Sequence, residues 1–270
     1  PRLSTATGGA FAVRFLAEQS RVMEELPAPR RIIRARSATP AQHGPLEHHR
    51  PDESAPPSVG LCAAWSRHAA ELAVPLGAAL QRWDETPATH GLIVDGKLQR
   101  ILPGIFLPPD LLRTAVQRAL ALGCAMGGHL QAHHVIAGPS AAWVVLGGMP
   151  PPYAELLSPA HRGDLAGVVL RHSRLLPGDV ETVGGAPVTV PVRTALDLLR
   201  FAPPWVAEPA LHRLLDSGHA QAEEIRLRLR TMHRYPGVQA ARDRLEKILG
   251  GQLVVSGAPV PTGLPSAVTR

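Results

Sequence analysis

Aromatic residues are scarce: Phe, Trp and Tyr make up 4% of the 270 residues. A core drawn from this chain therefore rests mainly on Ala, Leu and Val. Lysine is scarcer still, and only Lys97 and Lys247 are present. Cysteine occurs twice, at Cys62 and Cys124, with no C-x-x-C spacing. That argues against a disulfide scaffold and a cysteine-rich zinc site. Two reduced, buried thiols are the expectation. No apolar run reaches the roughly 18 residues of a membrane span. No membrane partner and a cytoplasmic location are expected. The chain opens on Pro1, with no charged-then-apolar leader at this start. It reads as a piece of a longer reading frame.

What is abundant is Pro (28), Gly (25) and arginine, and hydrophobic residues reach 45%, enough for a core. The length suits one large domain or two small ones. Net charge is +6, from 28 Lys and Arg against 22 Asp and Glu. That balance permits nucleic-acid binding without requiring it. Arginine in place of lysine, with so much Ala, Pro and Gly, equally fits a GC-rich genome.

Residues 1–60 differ in texture from the rest. Arg30, Arg31, Arg34 and Arg36 cluster, and a polar stretch with Pro40, Pro45, Pro51, Pro56 and Pro57 follows. Proline fixes φ and removes a donor, so disorder is expected there, apart from one short helix at 11–26. The arginines suit either a DNA-binding arm or a solvated tail.

From 61 to 109 the texture is globular. Helices are predicted at 64–73 and, after an interruption at Pro75, at 76–84. Thr86 is an N-cap and Pro87 takes the first helical position, so a third helix is predicted at 88–94. Strands at 98–102 and 105–107 flank the turn Pro103-Gly104. Three short helices and a hairpin are the order of a winged helix-turn-helix, which leaves the outer face of the third helix free for a major groove. His90 is expected on that face. Thr86 and Thr89 are expected near a phosphate at the helix N-terminus. Lys97 and Arg100 on the hairpin, with Arg82 at the groove edge, are the candidate backbone contacts. Charge within this module is balanced, which weakens the DNA reading, and such modules also serve as protein-docking units.

Residues 110–250 read as an α+β domain, a small sheet packed by helices. Helices are predicted at 111–122, at 141–146 with Ser140 as cap, and then at 192–201, 207–216, 221–232 and 238–249. Strands are predicted at 153–157, 168–172 and 188–190. Residues 251–270 read as a loose tail.

One stretch of this domain resembles a known family. Its residues are Arg171, Leu176-Pro177 and Asp179, then Gly185, Pro187, Val188 and Thr189, then Pro191, Arg193-Thr194 and Asp197-Leu198. They are similar to the central motif of antitoxin-like regulators of the AbiEi type, from type IV toxin–antitoxin systems. The segments 98–107 and 140–148 resemble the same family, so the likeness spans about 64–250. Val190 departs from the family's capping Ser, and Gly148-Met149 from its Gly-Leu. The resemblance implies an N-terminal winged domain that represses its own operon on double-stranded operator DNA. It also implies a C-terminal domain that counters a nucleotidyltransferase-like toxin.

Enzymatic chemistry finds little support. His129 and His133 would share a helix face, with His134 beside them, but no acidic residue lies near to complete a metal set. Ser140 lacks the G-x-S-x-G context of a hydrolase, and Gly96-Lys97 is not a phosphate loop. Asp179 and Glu181, two apart, would fit one strand face of a metal nuclease, yet no D/E-x-K lysine follows. Arg193 and Asp197 are four apart and pair on a helix face. Asp179, Arg193, Thr194 and Asp197 read first as structural. The expectation is a non-enzymatic DNA-binding regulator without metal or cofactor. The alternatives are a protein-interaction antitoxin module without DNA binding and a degenerate nuclease relative.

Overall fold

In a computed structural model, residues 60–159, 166–233 and 235–256 are described, the last six by their backbone alone. The chain divides into a unit at Pro1–Ser58 and one at Val59–Arg270. The helix expected at 11–26, the arginine cluster and the disorder expected for 1–59 lie outside the described residues, as do 257–270. The described part is α+β, with eight helices and two small sheets.

Helix α1 (Arg67–Ala79) starts where Ser66 Oγ accepts from Ala69 N at 3.0 Å. Its buried residues Ala69, Ala73 and Leu76 recur at four and three, the spacing of one helix face. The break expected at Pro75 does not occur, and α1 runs through it. The missing N–H would have served the carbonyl of Glu71, and Glu71 is exposed, so solvent can serve that carbonyl instead. Two residues then extend as β1 (Gln81–Arg82). Thr86 caps α2 (Pro87–Val94), its Oγ1 accepting from Thr89 N at 3.3 Å, with Pro87 at the first position. The hairpin β2 (Gln99–Leu102) and β3 (Ile105–Leu107) follows. Strand β3 lies between β1 and β2, all antiparallel. Two helices therefore precede the hairpin among the described residues, not three.

A 3-10 turn at Pro109–Leu112 precedes α3 (Ala115–Met126), so the helix expected at 111–122 starts later and ends later. Its start is set by a capping box. Thr114 Oγ1 accepts from Gln117 N at 3.2 Å, and Gln117 Oε1 accepts from Thr114 N at 3.0 Å. Next come β4 (Val135–Ile136), α4 (Gly138–Leu146), β5 (Ala154–Ser158), β6 (Val168–His172), β7 (Val180–Val183) and β8 (Ala186–Thr189). They form one mixed sheet in the order β6-β5-β4-β8-β7. Strand β7 went unforeseen, and it pairs antiparallel with β8 across Gly184-Gly185. Four helices complete the fold: α5 (Pro191–Phe201), α6 (Pro204–Asp216), α7 (Ala222–Thr231) and α8 (Val238–Ser256). The last reaches six residues into the expected tail.

One apolar cluster runs from the first helix to the sheet. It joins Leu76, Ile101, Ile105 and Leu107 to Leu120, Trp143, Leu156 and Val188. No gap in packing marks the boundary expected at 109. The tip of the β7–β8 hairpin seals this joint. Ser66 Oγ donates to Gly185 O at 3.2 Å, and a Cβ on Gly185, whose φ is +84°, would stand 2.4 Å from that oxygen. Glycine is needed there on both counts. A second cluster, around Leu196, Leu199, Leu211 and Leu245, binds α5–α8 together. Each fully buried leucine contributes about 1.5–3 kcal/mol.

Candidate functional site

The outer surface of α2 was the expected recognition face. It exposes Pro87, Ala88, His90, Gly91 and Val94, and it carries no lysine or arginine. The hydroxyls of Thr86 and Thr89 are both engaged within the fold. Thr89 is buried, and its Oγ1 donates to Asp84 O at 2.8 Å; Thr86 is occupied as the cap. Lys97 Nζ lies 3.5 Å from Asp95 Oδ2, and Arg100 Nε lies 2.8 Å from Glu85 Oε1. Glu85 Oε1 also accepts from Gly104 N at 3.0 Å. Both expected hairpin cations are thus faced by carboxylates. Arg82 is exposed and lines a shallow cleft with Trp83, Asp84, Thr86, Thr89 and Gly104.

Much of the arginine elsewhere is spent inside the fold. Arg118 is 7% exposed and donates to the carbonyls of Val144, Leu112 and Arg113 at 2.7–3.0 Å. Burial, with Arg213 nearby, pulls its pKa below the ordinary arginine value. Arg213 donates to Leu146 O at 2.7 Å. Two guanidinium groups therefore close the C-terminal carbonyls of α4, where the helix dipole favours positive charge. Arg242 and Arg244 reach the carbonyls of Leu229 and Ala202 in the same way.

The family-like motif assembles into a ladder of alternating charge between the sheet and α5. Glu155 on β5 is buried, with Oε1 3.0 Å from Arg171 Nε on β6. The geometry is off the hydrogen-bond axis, and Glu155 Oε2 has no partner. The Arg171 and Arg200 guanidinium groups stack on the Phe201 ring, 4.9 and 4.3 Å from its centre. Arg200 stands 3.8 Å from Asp197, and Arg193 Nε donates to Asp197 at 3.0 Å. Arg193 Nη1 donates to Asp179 at 2.9 Å, and Arg228 of α7 holds the other oxygen of Asp179. Ser173 Oγ accepts from Arg193 Nη2 at 2.8 Å, and Leu176 N donates to Asp179 at 2.9 Å. Thr194, also buried, donates to Thr189 O at 3.0 Å. Burial pushes the Glu155 and Asp197 carboxyls up, against the pull of their arginines. The Arg193 pKa stands above the ordinary arginine value, since Asp197 and Asp179 outweigh its burial. Residues scattered from 171 to 197 thus meet in one place. The sequence reading missed Glu155, Arg200 and Arg228 as members. A glutamate inside an otherwise apolar strand was the available signal for the first.

The ladder clamps the sheet to α5 and α7. Asp179 is buried whereas Glu181 is exposed, so the two carboxylates do not share a face. Ser140 does not cap α4. Ala137 holds that position, and the buried Ser140 Oγ accepts from Glu155 N at 2.8 Å. His129 ends a 3-10 turn and His133 lies beyond it, so the helical spacing expected for them is absent. Among the described residues, no three or more His, Cys, Asp or Glu side chains gather as metal ligands. His134 is buried, and its Nδ1 accepts from Gln131 N at 3.2 Å. No helix among the described residues is long and apolar enough to cross a membrane. No family model matches the chain, and no curated protein matches it.

Proposed function

We propose that this protein is a non-enzymatic, cytoplasmic regulator of antitoxin type that binds double-stranded operator DNA. The contact surface is α2 with the β2–β3 hairpin, used as a winged helix. The observation that carries the reading is the exposed α2 beside Lys97, in the turn before β2, and Arg100 on β2. Their ion pairs are surface pairs, worth about 0–1 kcal/mol, so phosphate can displace the carboxylates. His90 stands on the face that would meet base edges, and Arg82 at its margin. The likeness of 171–198 to the AbiEi-type motif supports an antitoxin context and a toxin protein as second partner. A gel shift with the DNA upstream of its own gene, across a salt series, tests the reading. Absence of a complex at low salt overturns it.

One observation favours a second reading, a protein-docking antitoxin module that leaves DNA alone. Helix α2 carries no lysine or arginine, and Lys97 and Arg100 beside it already have acidic partners. Co-purification with the product of the adjacent gene, in the absence of any DNA shift, would select it. Nothing in the ladder favours a nuclease relative, since Asp179 is enclosed by two arginines.

A further inference from the structure

The turn that leads into α1 unites two cysteines that lie 62 residues apart in sequence. Cys62 and Cys124 are both buried, and their Sγ atoms stand 3.9 Å apart. Cys62 Sγ also lies 3.5 Å from the carbonyl oxygen of Leu120, one helical turn before Cys124 on α3. The turn is pinned just after the thiol. Trp65 Nε1 donates to His134 O at 2.8 Å, and Ser66 Oγ holds Gly185. Cys62 itself has a φ of +65°, a conformation that residues with a side chain rarely adopt. Gly123 permits the approach, because a Cβ there would stand 2.6 Å from both Cys62 Sγ and Trp65 Cζ3. The backbone is thus bent and the facing helix thinned at the one point where the two sulfurs meet.

We propose that Cys62 and Cys124 form a site of reversible oxidative modification, closed to a disulfide by a small hydroperoxide, which fastens the turn before α1 to α3. The sulfurs must close from 3.9 Å to about 2.05 Å. One sulfur attacks the peroxide, the O–O bond breaks, an alcohol or water leaves, and a sulfenic acid forms. The second sulfur then attacks the first, the S–O bond breaks, and water leaves. Two thiols give up two electrons and two protons, and the peroxide takes them. With no third cysteine in the chain, no internal rearrangement competes.

The test uses the full chain, hydrogen peroxide as oxidant, alkylation after denaturation, and intact mass. The expected product has lost two hydrogens and takes no alkyl group. It melts on the order of 10 °C higher, because a long loop is closed in the unfolded chain. Dithiothreitol reverses both changes. Cys62→Ser and Cys124→Ser show neither, and Cys62→Ala and Cys124→Ala serve if the serine variants fail to fold. Oxygen added to one sulfur without a cross-link, a disulfide-linked dimer, two alkylated thiols after peroxide, or a cross-link with unchanged melting each overturn the proposal.

Discussion

Arg193 Nη1 donates to Asp179 Oδ2 at 2.9 Å, and neither side chain exposes more than 5% of its surface. The bond ties α5 to the strand entering the β7–β8 hairpin. Arg228 brings α7 to the same carboxylate, so three elements converge on one residue.

Removing the central cation should therefore be costly. Arg193→Ala leaves Asp179 and Asp197 buried without their main partner, and urea denaturation should register a loss of about 3–5 kcal/mol. Arg193→Lys should recover only part of it, since one ammonium cannot reproduce a fork that serves two acids. A loss below about 1 kcal/mol would show that the ladder does not hold the helices.

Glu155 sets a pH dependence of one sign. Burial holds its carboxyl above the ordinary value, so its favourable contribution is present below the ordinary carboxyl range and is lost as pH rises through the folded value. Glu155→Gln removes that loss. The variant should gain on the parent protein between about pH 4 and pH 7 in paired urea titrations. A constant difference across that range would refute the assignment.

His134 works in the opposite direction. Burial, with His133 beside it, holds the ring below its ordinary value. Its contribution is present above about pH 6.5 and is lost as pH falls through the folded value. His134→Asn keeps an acceptor for Gln131 N and cannot titrate, so its melting temperature should fall less between pH 7 and pH 5. Equal slopes for the two proteins would remove His134 from the account.

On the proposed DNA face the carboxylates oppose binding. Glu85→Gln and Asp95→Asn release Arg100 and Lys97, so both should tighten the complex. Three cations, Arg82, Lys97 and Arg100, give a slope of log K against log salt no steeper than about −3, and Lys97→Ala or Arg100→Ala should each flatten it by about 1. Acid-removing variants that bind no better would move the contact surface elsewhere.

The sequence was readable where local chemistry decides. Thr86-Pro87 sets the start of α2, the β-branched and apolar run at Val168 sets β6, and Pro191 opens α5. It misled where neighbours decide. Pro75 breaks no helix, since the residue whose carbonyl it orphans, Glu71, is exposed, and β1 is two residues whose pairing comes wholly from β3. Ser140 has the look of a cap yet serves a strand amide. Distance along the chain hid the meeting of Cys62 with Cys124, because only the packing of the turn on α3 creates it. The motif residues could be listed from sequence, but their union into one ladder depends on Glu155 and Arg228, which no spacing rule selects, and on Arg200, three residues beyond Asp197 on the same helix.

Leu76, Ile101 and Leu107 share their oil with Leu120, Trp143 and Leu156. A peptide cut at residue 109 would carry its share of that interior, Leu76, Ile101 and Leu107 among it, bare into water. The part proposed to face DNA cannot be lifted out as a minimal reagent, and whatever grips α2 or the hairpin pulls on the sheet as well.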